Sequence, residues 1–131
     1  MTLKQEIEKI KERLQMIEQE KTSSPNYLYK IISEEGWLAS QGQLHLVLTE
    51  FDTDFIHLAT QSQLTRVIQK FWSKAGPFYV LKLVPDELEG KLILETNPGG
   101  STAFYHLYNG AVPLTSIKGY AFYTSAEAFT N

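Results

Sequence analysis

A chain of 131 residues, a little under half of them apolar, has the size of one ordinary domain with one core. It carries no cysteine, a formal net charge of −3 and just two arginines, Arg13 and Arg66. That composition excludes a disulfide framework, a thiolate metal site and a thiol nucleophile, and it argues against a broad nucleic-acid surface, so any chemistry must come from oxygen and nitrogen side chains. The charged N-terminus is unlike a secretory leader, and no apolar run approaches the ~20 residues of a bilayer-spanning helix; the expectation is a soluble, cytoplasmic protein.

Residues 1–21 are highly charged and free of glycine, and Leu3, Ile7, Ile10, Leu14 and Ile17 recur at alternating steps of four and three. The spacing predicts an amphipathic or coiled-coil helix, and so short a stripe must bury itself either on its own domain or against a second copy in a homodimer. The turn formers Thr22-Ser23-Ser24-Pro25-Asn26 mark a linker over 22–26, leaving residues 27–131 as a single α+β domain. Tyr27 to Ile32 suits a strand, and Ser33 before Glu34 and Glu35 reads as an N-cap with acids in the first turn of a short helix through Trp37 and Leu38. Gln41-Gly42-Gln43 ends that helix. The stretch 44–54 has no single reading: Leu44 to Leu48 suits a strand, and Thr49-Glu50-Phe51-Asp52 the start of a turn.

Phe55 to Ala59 is apolar apart from His57, the pattern of a strand buried on both faces. Thr60 with Gln63 makes a capping-box pattern, and Leu64, Val67, Ile68, Phe71 and Trp72 follow at helical spacing until Gly76-Pro77. Strands are expected at Phe78 to Val84 and Lys91 to Glu95, with a turn between them and the loop Asn97-Pro98-Gly99-Gly100 after them. Phe104 to Tyr108, a turn at Asn109-Gly110, and Leu114 to Phe122 give two final strands, before a short helix from Ser125 to Phe129. The sum is a small mixed sheet carrying helices.

Three ionisable residues interrupt apolar or aromatic contexts: His57, Glu95 at the end of its strand, and His106 within Phe104 to Tyr108. Buried ionisable groups are costly unless paired or used, so each is either a hydrogen-bonded structural group or part of a site. A carboxylate beside imidazoles supports acid–base chemistry or the stabilisation of developing positive charge. Two imidazoles and a carboxylate can also hold zinc with one position open, but no HExxH pair or clustered ligands accompany them and no metal is expected. The loop from Asn97 to Thr102 has the composition of an anion nest without the lysine of a nucleotide-binding loop, and it reads as a surface turn. The aromatics from Tyr105 to Tyr123 suit core packing, with ring stacking on a ligand as the alternative.

Leu28-Tyr29-Lys30-Ile31 with Trp37, then Phe55-Ile56-His57-Leu58-Ala59-Thr60, Gln63, the strand ending in Glu95, and Phe104-Tyr105-His106-Leu107-Tyr108 together resemble the bacterial domain of unknown function 952 family over roughly Tyr27 to Tyr120. Asp54 and Tyr105 stand where that family commonly has glycine and proline. The resemblance implies a fold similar to the ADP-ribosyltransferases: a small split mixed or antiparallel β-sheet with flanking helices and a cleft for a nicotinamide dinucleotide or related ribose-bearing ligand. His57 is then similar to the histidine of the RNA 2′-phosphotransferases, and Glu95 to the late-strand glutamate of the transferases. Those phosphotransferases depend on several arginines, which disfavours their reaction here.

Two functional expectations follow. In the first, the protein binds a nucleotide such as NAD, as substrate, or ADP-ribose, and acts as an ADP-ribosyl or related group transferase. His57, Glu95 and His106 are its catalytic candidates, and Thr60, Tyr108 and Tyr29 its ligand-binding candidates. In the second, it is a noncatalytic ligand-binding or regulatory module that dimerises through residues 1–21.

Overall fold

The computed structural model describes residues 25–130. The expected helix over 1–21 and the first part of the linker lie outside these residues. Leu28–Ser33 forms strand β1, and the Ser33 hydroxyl then accepts the Gly36 N–H at 3.0 Å, capping helix α1 (Glu34–Ser40) as its sequence predicts. Strand β2 (Ile56–His57), helix α2 (Leu64–Phe71), strands β3 (Phe78–Leu83), β4 (Glu89–Thr96), β5 (Ala103–Ala111) and β6 (Ile117–Tyr123), and helix α3 (Ala126–Thr130) follow, with short 3-10 turns between them. The α+β class is as expected, and of the mixed and antiparallel alternatives the strands take the antiparallel one: they make two three-stranded sheets, β1-β3-β6 and β2-β5-β4, and every strand pairing in them is antiparallel.

The sheets meet where Tyr29 and Ala59 exchange backbone hydrogen bonds of 2.8 and 2.9 Å. Period-two alternation splits the first sheet between two apolar clusters. Leu28, Ile32, Leu81 and Leu83 pack against Ile56 and Leu107 of the second sheet, while Ile31, Phe78 and Val80 pack beneath Leu64 and Ile68 of α2 and Ala126 of α3. The order of layers is therefore α2 with α3, first sheet, second sheet, and α1 packs through Trp37 on the side of the first sheet that faces the second. One face of the second sheet lies on the core, and its other face carries His57, His106 and Glu95. Burying each large apolar side chain contributes about 1.5–3 kcal/mol, which is what holds the sheets in this order.

Local structure departs from expectation at two places, and the stretch that had no single reading takes a definite form. The strand at Phe55 to Ala59 shrinks to two residues and is buried on one side alone, with Ile56 inside and His57 half-exposed. Stretch 44–54 pairs its backbone with Val112 and Leu114 at 2.9 and 3.0 Å and then turns as a 3-10 helix (Glu50–Asp52). Asn109-Gly110 is not a turn, because β5 runs straight through it to pair Ala111 with Glu89. The register shifts there, Asn109 has φ 51°, and a Cβ on Gly110 would lie 1.7 Å from the Glu89 carbonyl oxygen; these are the marks of a bulge that needs glycine.

Candidate functional site

Antiparallel pairing sets His57 of β2 directly opposite His106 of β5, so the two rings rise from the same face. Their centroids are 5.6 Å apart and their planes meet at 70°. On the other side of β5, Ile93 of β4 is opposite His106, and Glu95, two residues on, projects from the same face beside Phe104. The three catalytic candidates chosen from the sequence therefore come together, although they are separated along the chain.

Their environments differ. His106 is 1% exposed, and its Nδ1 lies 2.8 Å from Glu95 Oε1. The Tyr108 hydroxyl donates to that same oxygen. Hydrogen bonds from Tyr108 and then His106 hold the Glu95 carboxyl below its ordinary value, and the bond to Glu95 pushes the Tyr108 phenol up. An ionised carboxylate can accept but not donate, so His106 Nδ1 carries a proton, and its Nε2 is an acceptor when the ring is neutral and a donor when it is charged. That Nε2 is buried and has no partner among the described residues. Glu95 Oε2 makes no side-chain hydrogen bond among these residues either, and its side chain is 36% exposed.

His57 is more open, with 45% of its side chain exposed, and it is organised by a residue that the sequence reasoning missed. Asp52 Oδ1 accepts both the backbone N–H and the ring Nδ1–H of His57, each at 3.1 Å. The same carboxylate receives the Lys30 ammonium at 3.0 Å on each oxygen. Burial pushes the Asp52 carboxyl up, but the hydrogen bonds of His57 and the charge of Lys30 together bring it down to about 2. Burial draws Lys30 below its ordinary value against the pull of Asp52. Asp52 is thus a buried anion that fixes the His57 tautomer with Nδ1 protonated and Nε2 open, the arrangement in which a histidine serves as a general base.

The remaining candidates divide. Tyr108 belongs to the cluster through Glu95. Thr60 caps the turn before α2: its N–H donates to Gln63 Oε1 at 3.0 Å, and Gln63 Nε2 donates to the Ala103 carbonyl at 2.8 Å, which ties the start of that helix to the start of β5. The Tyr29 side chain packs on the apolar cluster beneath α2 rather than joining the histidines. Tyr105 packs on the core, and Tyr79, Tyr120 and Phe122 gather with Trp37 on the first sheet, away from the Glu95 cluster. Among the described residues no group of three or more His, Asp or Glu side chains is placed to hold a metal. No helix among them is long and apolar enough to cross a membrane.

One signal for the missed pair was present in the sequence. Lys30 interrupts an apolar strand just as His57 does, and the same reasoning applies to it. Asp52 offered no such signal, because Asp54 and Glu50 stand beside it with equal claim.

The family model described as protein of unknown function (DUF952) matches residues 31–119. The chain belongs to that family. The matched stretch runs from β1 into β6 and contains Asp52, His57, Glu95, His106 and Tyr108, so the whole cluster apart from Lys30 falls inside the DUF952 region. Among solved structures the chain is similar to the crystal structure of protein CC0527 from Caulobacter crescentus, at 27% identity and a TM-score of 0.61, over 73% of this chain and 84% of that one. A double mutant of CC0527 matches at 26% identity with the same TM-score and coverage. No curated protein matches the chain.

Proposed function

We propose that the exposed face of the second sheet is an acid–base site for a nucleotide-like ligand such as NAD or ADP-ribose, and that the protein acts as an ADP-ribosyl or related group transferase. One observation carries this reading: a base and a carboxylate, each oriented by partners of its own, stand on one face with Nε2 of His57 and Oε2 of Glu95 unengaged. In the proposed reaction the bond between the ribose C1′ and the leaving ring nitrogen breaks, and the electron pair departs with that ring. Glu95 stabilises the positive charge developing at C1′, and His57 takes the proton from the acceptor group that attacks the same carbon. His106 and Tyr108 act as positioning residues that hold Glu95 ionised and aimed. The sequence resemblance, which implies a framework similar to the ADP-ribosyltransferases, supports the substrate class, and the scarcity of arginine weighs against phosphoryl transfer.

Incubating the full chain with NAD and measuring released nicotinamide tests the reading. Release that falls at least about a hundredfold in Glu95→Gln is the expected result. No release together with no binding of NAD or ADP-ribose would overturn it. The regulatory alternative gains no support from His57, which is half-exposed rather than sealed in packing.

A further inference from the structure

Strand β4 is the outer strand of the second sheet, eight residues long and without proline, and no other element among the described residues pairs with its far side. The ladder decides which of its backbone groups are left over. The Leu58 N–H donates to the Tyr105 carbonyl at 3.1 Å, so Tyr105 turns its backbone groups toward β2, and His106, the next residue, turns its own toward Ile93 of β4. Ile93 and Glu95 therefore bond to β5, whereas Leu92 and Leu94 point their N–H and C=O groups outward. Such a row is a template for another strand. The side chains along it are unmatched as well. Leu94 is 40% exposed, Lys91 is exposed with no carboxylate partner among the described residues, and Glu95 Oε2 is unengaged.

We propose that β4 pairs antiparallel with β4 of a second copy of this chain, about a twofold axis at Ile93, so that Lys91 of each copy lies opposite Glu95 of the other. In this register the outward backbone groups of Leu92 face those of Leu94 in the second copy, and the two leucines meet on the core side of the sheet. On the other side Ile93 meets itself, and the two Lys91–Glu95 pairs flank it at the close spacing of directly opposite residues. Registers displaced by two residues lose the match, because one sets Glu95 opposite Glu89 and the other sets it opposite Ile93. Charge complementarity therefore selects the occupant and its register together. Each site gains at its rim a cation from the second copy, in a chain that has few arginines of its own. The pairing stands apart from the nucleotide reading, since it needs no ligand.

Sedimentation equilibrium of the full chain tests the pairing. A short ladder makes a weak dimer, so wild type is expected to move from monomer toward dimer between about 10 μM and about 1 mM. Lys91→Glu sets like charges opposite each other twice in every dimer and weakens association at least about tenfold. Leu94→Pro removes an outward N–H while leaving the bonds of Ile93 and Glu95 to β5 in place, and it also yields monomer. Should the proline variant not fold, the charge variants decide alone. Glu95→Lys by itself is monomeric, and mixing it with Lys91→Glu restores association as a heterodimer, a recovery that misfolding cannot imitate. Circular dichroism checks the fold of each protein. A wild type that stays monomeric to about 1 mM would overturn the proposal. So would a dimer that Lys91→Glu leaves intact, which would place the association on another surface such as residues 1–21, or a mixture of the two charge variants that stays monomeric.

Discussion

A single oxygen of Asp52 receives the main-chain N–H and the ring Nδ1–H of His57, so strand β2 and its histidine are fixed by the same buried carboxylate. Lys30 closes the arrangement from β1, which makes the ion pair a link between the first sheet and the site on the second. The consequences can be measured in stability, in protonation and in binding.

Breaking a buried ion pair on one side leaves the other charge uncompensated. Lys30→Met and Asp52→Asn are each expected to lower unfolding free energy by about 3–5 kcal/mol, and the double variant by clearly less than the sum. Urea unfolding of the four proteins measures this. Additive losses would mean that the pair does not act as a unit.

Asp52 also fixes a tautomer. In wild type, nitrogen chemical shifts of neutral His57 should report a proton on Nδ1; in Asp52→Asn the two tautomers should mix, because the amide can present either a donor or an acceptor to the ring. The expected accompanying loss is about tenfold or more in NAD turnover. A tautomer that does not change in the variant would assign His57 orientation to something other than Asp52.

The pH dependence of stability has a definite sign. The Asp52 carboxyl titrates at about 2 in the folded chain against an ordinary 3.8, so between those values the unfolded chain binds more protons and stability rises with pH. The contribution is fully present above the ordinary value and is lost as pH falls toward 2. It amounts to roughly 2 kcal/mol for that shift. Glu95, likewise held below its ordinary value, acts in the same direction. Urea midpoints measured down the acid range should fall, and the fall should be shallower in the Lys30→Met/Asp52→Asn protein.

Gly110→Ala places a methyl group against the Glu89 carbonyl oxygen in the bulge where β4 and β5 pair. A loss of at least about 2 kcal/mol is expected, with the register of Glu95 and His106 disturbed from one end. Thermal melts check the first effect, and the ring signals of His106 check the second.

Much of the fold was legible because local rules and tertiary packing agree. Ser33 caps α1, Thr60 and Gln63 organise the start of α2, and the alternation in Phe78 to Leu83 divides correctly between two clusters. Asn109-Gly110 misled because its positive-φ preference serves a bulge as well as a turn, and only the partner strand decides between them. His57, His106 and Glu95 were legible as polar interruptions of apolar strands, but which histidine is buried was not, since burial depends on the sheet face left uncovered and on Phe55 folding over one ring. Asp52 was illegible for a related reason: its partners are set by register and by a turn that no local pattern specifies.

In the proposed reading His57 and Glu95 form one ligand site. Calorimetric titration of the full chain with ADP-ribose, in wild type, His57→Ala and Glu95→Gln, tests it most directly. Wild type is expected to bind saturably and both variants about tenfold more weakly or worse, each variant keeping its fold because these side chains stand on the open face. Absence of binding, or binding that neither variant weakens, would contradict it.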